Sequence, residues 1–273
     1  MRFRILCLAA LLAGCAAPQP ASNNSPAQAR LQEAEARAAA AARSGDHAAA
    51  ARHYDHALRI ATSLENADAV AANAINLSIV DQWLGRNAEA RAALAAVLDD
   101  PRSAFSERRR MQAELRRAIL ELADGNAGAA AVWAGQAGAR CRESCEFAAA
   151  ILNVQAQVEL DSGRAPEAAR LAERAAARGS RAEAANALRT LGRARQAQGE
   201  PAKAIEPLSQ ALAIDRELGD PRKILADLNE LARAADAAGD GRAAREYRQR
   251  GLAVSRAVND ARSSAEFEAL LRR

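Results

Sequence analysis

The chain has 273 residues, enough for one sizeable domain or for an array of repeats. Half of the residues are apolar but only 3% are aromatic, so a globular core would pack thinly, whereas closely approaching helices need small side chains at their contacts. The formal net charge of +4 includes Arg2 and Arg4 near the start. Since the rest of the chain is nearly balanced, we exclude a nucleic-acid-binding protein.

The first predicted element is a signal peptide over residues 1–14. Arg2 and Arg4 precede an apolar segment, Ile5 to Leu12, that is far shorter than the roughly 20 residues of a membrane-spanning helix. A plain secretory signal ends in an Ala-x-Ala-like site, whereas this segment ends in Leu12-Ala13-Gly14-Cys15.

Those four residues resemble the lipobox of bacterial lipoproteins. The resemblance implies cleavage before Cys15 and a covalent lipid on that cysteine; the alternative is an ordinary signal peptide that contains a cysteine. Several acyl chains together hold a protein on a membrane permanently, and Ala16, in place of an aspartate, implies the periplasmic face of the outer membrane. Residues 15–28 are rich in Pro, Ser and Asn, so we predict that the lipidated cysteine is followed by a flexible tether.

A repeat of 36 to 40 residues occupies the remainder of the chain. It is marked by six glycines, Gly45, Gly85, Gly125, Gly163, Gly199 and Gly239. Small residues, with Val97 as the exception, recur at three fixed distances from each glycine and form three columns. Seven positions before the glycines stand Ala38, Ser78, Ala118, Ala156, Gly192 and Ala232. Five positions after them stand Ala50, Ala90, Ala130, Ala168, Ala204 and Ala244, and twelve positions after them stand Ala57, Val97, Ala137, Ala175, Ala211 and Gly251. A fixed period of this length indicates a repeat protein. These positions lie on the facing sides of two antiparallel helices, and the glycine permits the positive φ that ends the first helix.

These residues resemble the tetratricopeptide repeat. The resemblance implies an all-α, right-handed superhelical solenoid of about six helical hairpins over residues 29–259, followed by a C-terminal capping helix over residues 260–273. In the last segment Ser263 and Glu266 have the spacing of a capping box. One apolar stripe follows on the same helix, formed by Phe267, Leu270 and Leu271.

Two cysteines remain once the signal peptide is removed and Cys15 carries its lipid. Cys141 and Cys145 are four residues apart, a spacing at which a disulfide is feasible, and an exported protein meets an oxidising compartment; idle thiols and a redox or metal role are the alternatives. His53 and His56 are three apart on a predicted helix, but no ligand set surrounds them, so we expect no metal site. The sequence has no catalytic motif, and we expect neither an enzyme nor a cofactor other than the lipid.

A tetratricopeptide solenoid has a concave groove lined by the first helix of each hairpin, and the resemblance places residues of this chain in it. The second and third hairpins contribute mainly apolar side chains, and the last three contribute amides and guanidinium groups. The candidates are Ile75, Ile79, Gln82, Leu115 and Ile119 in the first set, and Asn153, Gln157, Arg189, Arg193, Gln196, Asn229 and Arg233 in the second.

This arrangement suits an extended or helical peptide with an acidic or carboxylate end. Glutamate in place of Arg189 and Arg193 is then expected to weaken partner binding without unfolding the chain. The alternative is that the apolar candidates are buried between hairpins and the arginines are solvated. Trp83 and Trp133 are expected to be packing residues.

The predicted lipid anchor and the tetratricopeptide-like repeat together predict a non-catalytic scaffold. Such a protein would be similar to the pilotins of type IV pili and to adaptors of envelope-assembly machines. Its expected partner is another envelope protein or peptide segment, and its membrane contact is the lipid. The alternatives are a regulator or recruiter of a cell-wall enzyme, a small-ligand-binding sensor, and an enzyme whose site the sequence does not reveal.

Overall fold

The helical content of the chain follows from its alanine-rich hairpins. The computed structural model describes residues 25–100, 104–141 and 145–272, so Cys15 and the predicted signal peptide lie outside the described residues. Over those ranges the chain forms thirteen α-helices and no strand. They are α1 (Pro26–Arg43), α2 (His47–Ser63), α3 (Ala67–Trp83), α4 (Asn87–Leu98), α5 (Glu107–Ala123), α6 (Ala127–Cys141), α7 (Ala148–Asp161), α8 (Ala165–Ala176), α9 (Arg181–Ala197), α10 (Pro201–Leu218), α11 (Pro221–Ala237), α12 (Gly241–Ala257) and α13 (Ala261–Leu271).

The six repeat glycines form the turns inside the hairpins. Each has a positive φ, between 74° and 84°, a conformation that costs a glycine little because it has no Cβ. An acidic side chain then caps the following helix in two hairpins: Asp46 accepts a hydrogen bond from the Ala49 amide at 2.9 Å, and Asp240 accepts one from the Ala243 amide at 2.9 Å. The predicted solenoid of six hairpins, α1–α2 to α11–α12, plus a last helix, α13, is confirmed.

The small residues of the repeat lie at the helix contacts, as predicted. All members of the three columns are buried. At two positions of the columns a glycine faces a large side chain: a Cβ on Gly192 would lie 2.4 Å from Leu208 Cγ, and one on Gly251 would lie 2.3 Å from the Phe267 ring. Helix separation is therefore set by pairs of facing residues.

The apolar core is a series of local clusters along the stack. One cluster joins α3, α4 and α5 around Leu94 and Leu120, and another joins α10 and α11 around Leu208, Leu228 and Leu231. Each hairpin packs mainly against its neighbours, as expected for a repeat protein.

Two boundaries differ from the sequence-based expectation. Helix α1 begins at Pro26, because Ser25 and Gln28 form a capping box, so the last three residues of the predicted tether, 26–28, are helical. Helix α13 begins before Ser263, because Asp260 is its N-cap and accepts hydrogen bonds from the Ser263 amide at 3.0 Å and the Ser263 hydroxyl at 2.7 Å. The predicted capping box at Ser263 was therefore wrong. Within the described ranges, every helix is too short or too polar to cross a bilayer.

Candidate functional site

The first helices of the hairpins line the inner side of the stack. Consecutive first helices touch one another, α3 with α5, α5 with α7, α7 with α9 and α9 with α11, and no comparable contact joins consecutive second helices of the described residues. Since a curved stack brings elements together on its inner side, the concave surface, here called the groove, is formed by the first helices. It is the candidate functional site.

The apolar candidates divide between core and groove. Ile75 packs against the cluster that contains Leu94, and Leu115 is buried in the next cluster. Ile79 is half-buried, while Ile119, one turn after Leu115, is 37% exposed. Ile79 and Ile119 therefore provide the apolar surface of this half of the groove.

A buried arginine that the sequence analysis did not select lies beside them. Arg116 on α5 is only 8% exposed. Its Nε donates to Ser78 Oγ at 3.0 Å, and its Nη2 donates to the Ser78 carbonyl at 2.9 Å and to Gln82 Oε1 at 2.8 Å. All of these acceptors are neutral, and Nη1 donates to no described residue. Burial alone lowers the pKa of Arg116, to about 10.

The polar candidates of the fourth hairpin join two helices. Asn153 on α7 is buried, and its Oδ1 accepts a hydrogen bond from the Thr190 hydroxyl on α9 at 2.9 Å. Gln157, one turn further along α7, is half-buried. Asn153 therefore holds neighbouring hairpins together.

Arg189 is bound to carboxylates of its own chain. Its Nε donates to Asp227 Oδ1 on α11 at 2.6 Å, and its Nη2 donates to Asp215 Oδ2 on α10. Both aspartates are completely buried, and burial raises the pKa of Asp227 to about 6 although Arg189 opposes this. The Nη1 group donates to Asn186 Oδ1 at 3.1 Å, which also accepts from Lys223 Nζ at 2.9 Å.

Replacing Arg189 by glutamate would leave three acidic groups together in a buried site. The expectation that Arg189 can be reversed without unfolding the chain is therefore corrected. Its guanidinium group links α9, α10 and α11 and serves the packing of the fifth and sixth hairpins.

The remaining candidates lie on α9 and α11. Arg193 Nε and Arg233 Nη1 each lie 3.7 Å from Glu230 Oε1, so both guanidinium groups have a nearby carboxylate. Gln196 has a buried Nε2 without a partner among the described residues. Asn229 and Arg233 line an open cleft of about 870 Å³ between α11 and α13.

The two tryptophans have different surroundings. Trp133 is half-buried and packs against the Met111 cluster of the third hairpin, the environment expected of a packing residue. Trp83, at the end of α3, is 41% exposed. Its ring is 4.7 Å from the His47 ring and 4.6 Å from the Arg222 guanidinium carbon.

Cys141, Cys145, His53 and His56 lie outside the groove. Cys141, at the end of α6, is joined in a disulfide to Cys145, before α7, with their Cα atoms 5.1 Å apart. His53 and His56 lie on α2. Within the described part of the chain, no cluster of His, Cys, Asp and Glu side chains could hold a metal ion.

Comparison with known protein families and structures identifies the type of fold. The tetratricopeptide repeat family matches residues 147–217, which span α7 to α10. No curated protein matches the chain significantly in sequence. The fold is a tetratricopeptide-like solenoid.

Three solved structures illustrate the likeness. A chain of the APC/C hetero-tetramer Cut9–Hcn1 is 14% identical, with a TM-score of 0.68 over 89% of this chain; the match spans 42% of the other chain's length. A Rap protein complexed with competence and sporulation factor is 16% identical, with a TM-score of 0.61 over 90% of this chain and 69% of that one. PilF of Pseudomonas aeruginosa is 19% identical, with a TM-score of 0.52 over 76% of this chain and 92% of that one. At these identities the likeness establishes the fold, which presents an extended concave surface of the kind that binds proteins and peptides.

Proposed function

We propose that the chain is a non-catalytic adaptor of the bacterial envelope whose groove binds a peptide segment of another envelope protein. The bound segment is extended or helical and carries an acidic side chain or a terminal carboxylate. The observation that carries this proposal is Arg116, a buried guanidinium group that has only neutral partners.

Arg116 is suited to a carboxylate ligand for an electrostatic reason. Removing a cation from water is costly unless an anion compensates it, and the described residues supply no carboxylate partner. An incoming carboxylate would form a charge-assisted hydrogen bond in a partly dehydrated site, where such bonds are strong. Ile79 and Ile119 would meet the apolar side chains that flank the acidic group.

The structurally similar proteins support a binding role for this architecture. Cut9–Hcn1 is an assembly of protein chains, and the Rap protein is complexed with a sporulation factor. We transfer to this chain only the use of a helical-repeat surface for a partner. The identity of the partner follows from neither structure.

The site can be tested by photocrosslinking in intact cells. A benzoylphenylalanine at Ile119, in the groove, should capture a distinct protein, because this side chain is exposed beside Arg116. The same group at Gln210, which is exposed on the second helix of the fifth hairpin, is the matched control. Equal capture from both positions would contradict a binding role for the groove.

The chemistry can then be tested with a peptide from the captured segment. Arg116→Met should weaken its binding about tenfold or more, because a charge-assisted hydrogen bond is lost. Amidation of the peptide's carboxylates should have the same effect on the unmodified protein and little further effect on the variant. Arg193→Met, which removes a more exposed arginine, is the control, and an equal loss from both variants would contradict the assignment to Arg116.

We further propose that the adaptor is attached to the periplasmic face of the outer membrane by a lipid on Cys15. The proposal rests on the lipobox-like sequence and on Ala16. Cys15→Ala should abolish incorporation of labelled palmitate and move the protein from the membrane to the soluble fraction. Retention of the variant in the membrane fraction would contradict lipid attachment at this residue.

A further inference from the structure

Trp83 contacts a hairpin that is remote from its own along the stack. It is the last residue of α3, in the second hairpin, whereas Arg222 is the second residue of α11, in the sixth hairpin. The Arg222 guanidinium carbon lies 4.6 Å from the centroid of the Trp83 ring, within the range of a cation–π interaction. Both residues belong to groove-lining helices, and their contact joins the C-terminal end of α3 to the N-terminal end of α11.

The other cation–π contacts of the described residues are local. Arg117 and Trp133 belong to the same hairpin, and Arg250 and Tyr247 belong to the same helix. Arg108 lies over Phe147, which directly precedes the next hairpin's first helix. The contact between Trp83 and Arg222 is thus different in kind, because it joins distant parts of the curved stack.

Arg222 is not held in place by an ion pair among the described residues. Its backbone amide donates to Asp220 Oδ1 at 3.1 Å, as part of the N-cap of α11, but its side chain is exposed. Trp83 also remains 41% exposed, although His47 packs on it. The contact therefore lies at the solvent-facing edge of the groove.

A contact of this strength is readily reversible. An exposed cation–π pair favours the associated state by only about two- to fivefold. Both open and closed arrangements would then be populated. The contact also lies next to Gln82, which accepts a hydrogen bond from Arg116, so it borders the proposed carboxylate site.

We propose that Trp83 and Arg222 form a clasp, a reversible contact between the second and sixth hairpins that closes the groove. Arg222 leaves the Trp83 ring when the groove opens, and a bound segment keeps it open by occupying the space between α3 and α11. The role of the clasp in admitting a segment rests on the proposed function, whereas the closure itself is a property of the free protein.

The clasp can be measured without a partner. Trp83 and Trp133 are the two tryptophans of the chain, so Trp133→Phe leaves Trp83 as the sole tryptophan reporter. Arg222→Ala is then introduced into this full chain, and acrylamide quenching of Trp83 fluorescence is recorded. Arg242→Ala is the matched control, because Arg242 is also exposed and is also the second residue of its helix, α12.

The expected result is that Arg222→Ala lowers the ratio of closed to open protein by about two- to fivefold. Trp83 quenching should increase, and neutron scattering in contrast-matched detergent should show a larger radius of gyration. Arg242→Ala should change neither. The clasp is overturned if the two variants give the same quenching and the same radius while circular dichroism shows both to be folded.

The experiments distinguish a failure of the clasp from a failure of the proposed function. If Arg222→Ala leaves the radius and quenching unchanged while Arg116→Met still weakens peptide binding, only the clasp is wrong. If the groove opens as expected but no carboxylate peptide depends on Arg116, the proposed function is wrong and the clasp stands.

Discussion

Arg116 in the third hairpin and Arg189 in the fifth lie on equivalent helices and are both largely withdrawn from water, but their surroundings differ. Arg189 is bound by two completely buried carboxylates, Asp215 and Asp227. Arg116 is bound by a hydroxyl, a carbonyl and an amide oxygen. One guanidinium group is therefore compensated within the chain, and the other is left with its charge available to a ligand.

The difference shows which buried charges in a repeat protein indicate function. A compensated charge is explained by packing, since removing either partner would leave the other buried and unpaired. A charge with only neutral partners is less fully compensated, and an anion from outside the chain would stabilise it further. In the second half of the groove, Arg189 is thus bound by carboxylates of its own chain, and Arg193 and Arg233 both lie near Glu230.

The largest expected effect is at Arg189. Arg189→Met should lower the free energy of unfolding by about 3 to 5 kcal/mol, because Asp215 and Asp227 would remain buried without a cation. Denaturant unfolding followed by circular dichroism measures it. Arg193→Met, which removes an exposed arginine 3.7 Å from Glu230, should cost less than about 1 kcal/mol. Equal losses from the two variants would mean that Arg189 is not the compensating cation.

The second effect concerns pH. The pKa of Asp227 is raised to about 6 by burial, above the value of about 3.9 in an unfolded chain. The folded state therefore binds this proton more tightly, and the stability contributed by Asp227 is lost as the pH rises between about 4 and 6. Relative to Asp227→Asn, which cannot titrate, the unmodified chain should lose roughly 2 to 3 kcal/mol between about pH 4 and pH 7. Parallel pH profiles of unfolding would contradict the raised pKa.

The third effect compares packing in the same two hairpins. Gly192→Ala in the fifth hairpin should destabilise by about 1 to 3 kcal/mol, because the new Cβ would lie 2.4 Å from Leu208 Cγ and Leu208 is fully buried. Gly135→Ala on α6 of the third hairpin meets no atom within 4 Å and should stabilise by about 0.5 to 1 kcal/mol through helix propensity. Thermal unfolding of both variants checks this. Changes of the same sign would mean that the facing pair does not set the helix separation.

These comparisons also show how far the sequence predicts the protein. The glycine turns and small-residue columns are local and periodic, and they predicted the hairpins correctly. The role of Arg189 could not be predicted in this way, because Asp215 and Asp227 lie on two other helices and their approach depends on the stacking. Arg116 was missed although it follows the candidate Leu115, because it lies in a charge-rich segment next to Arg117 and the sequence says nothing of its acceptors.

The start of α13 was hard to predict because two residues compete for the N-cap position. Asp260 and Ser263 can each accept a hydrogen bond from a backbone amide two or three residues on, and the sequence pattern favoured the later one. The aspartate begins α13, and it bonds both the amide and the hydroxyl of Ser263. The sequence alone does not distinguish capping alternatives this close.

The smallest expected effect on stability is at Arg116, and it is the sharpest contrast with Arg189. Arg116→Met should change the free energy of unfolding by less than about 1 kcal/mol, because a buried charge is removed together with its desolvation cost. Its acceptors are not left stranded: the Ser78 hydroxyl still donates to the Ile75 carbonyl at 2.7 Å, and Gln82 is half-buried and can reach water. Denaturant unfolding beside Arg189→Met measures the contrast. A loss at Arg116 as large as that at Arg189 would mean that Arg116 serves the fold, and its availability to a carboxylate partner would no longer follow from the structure.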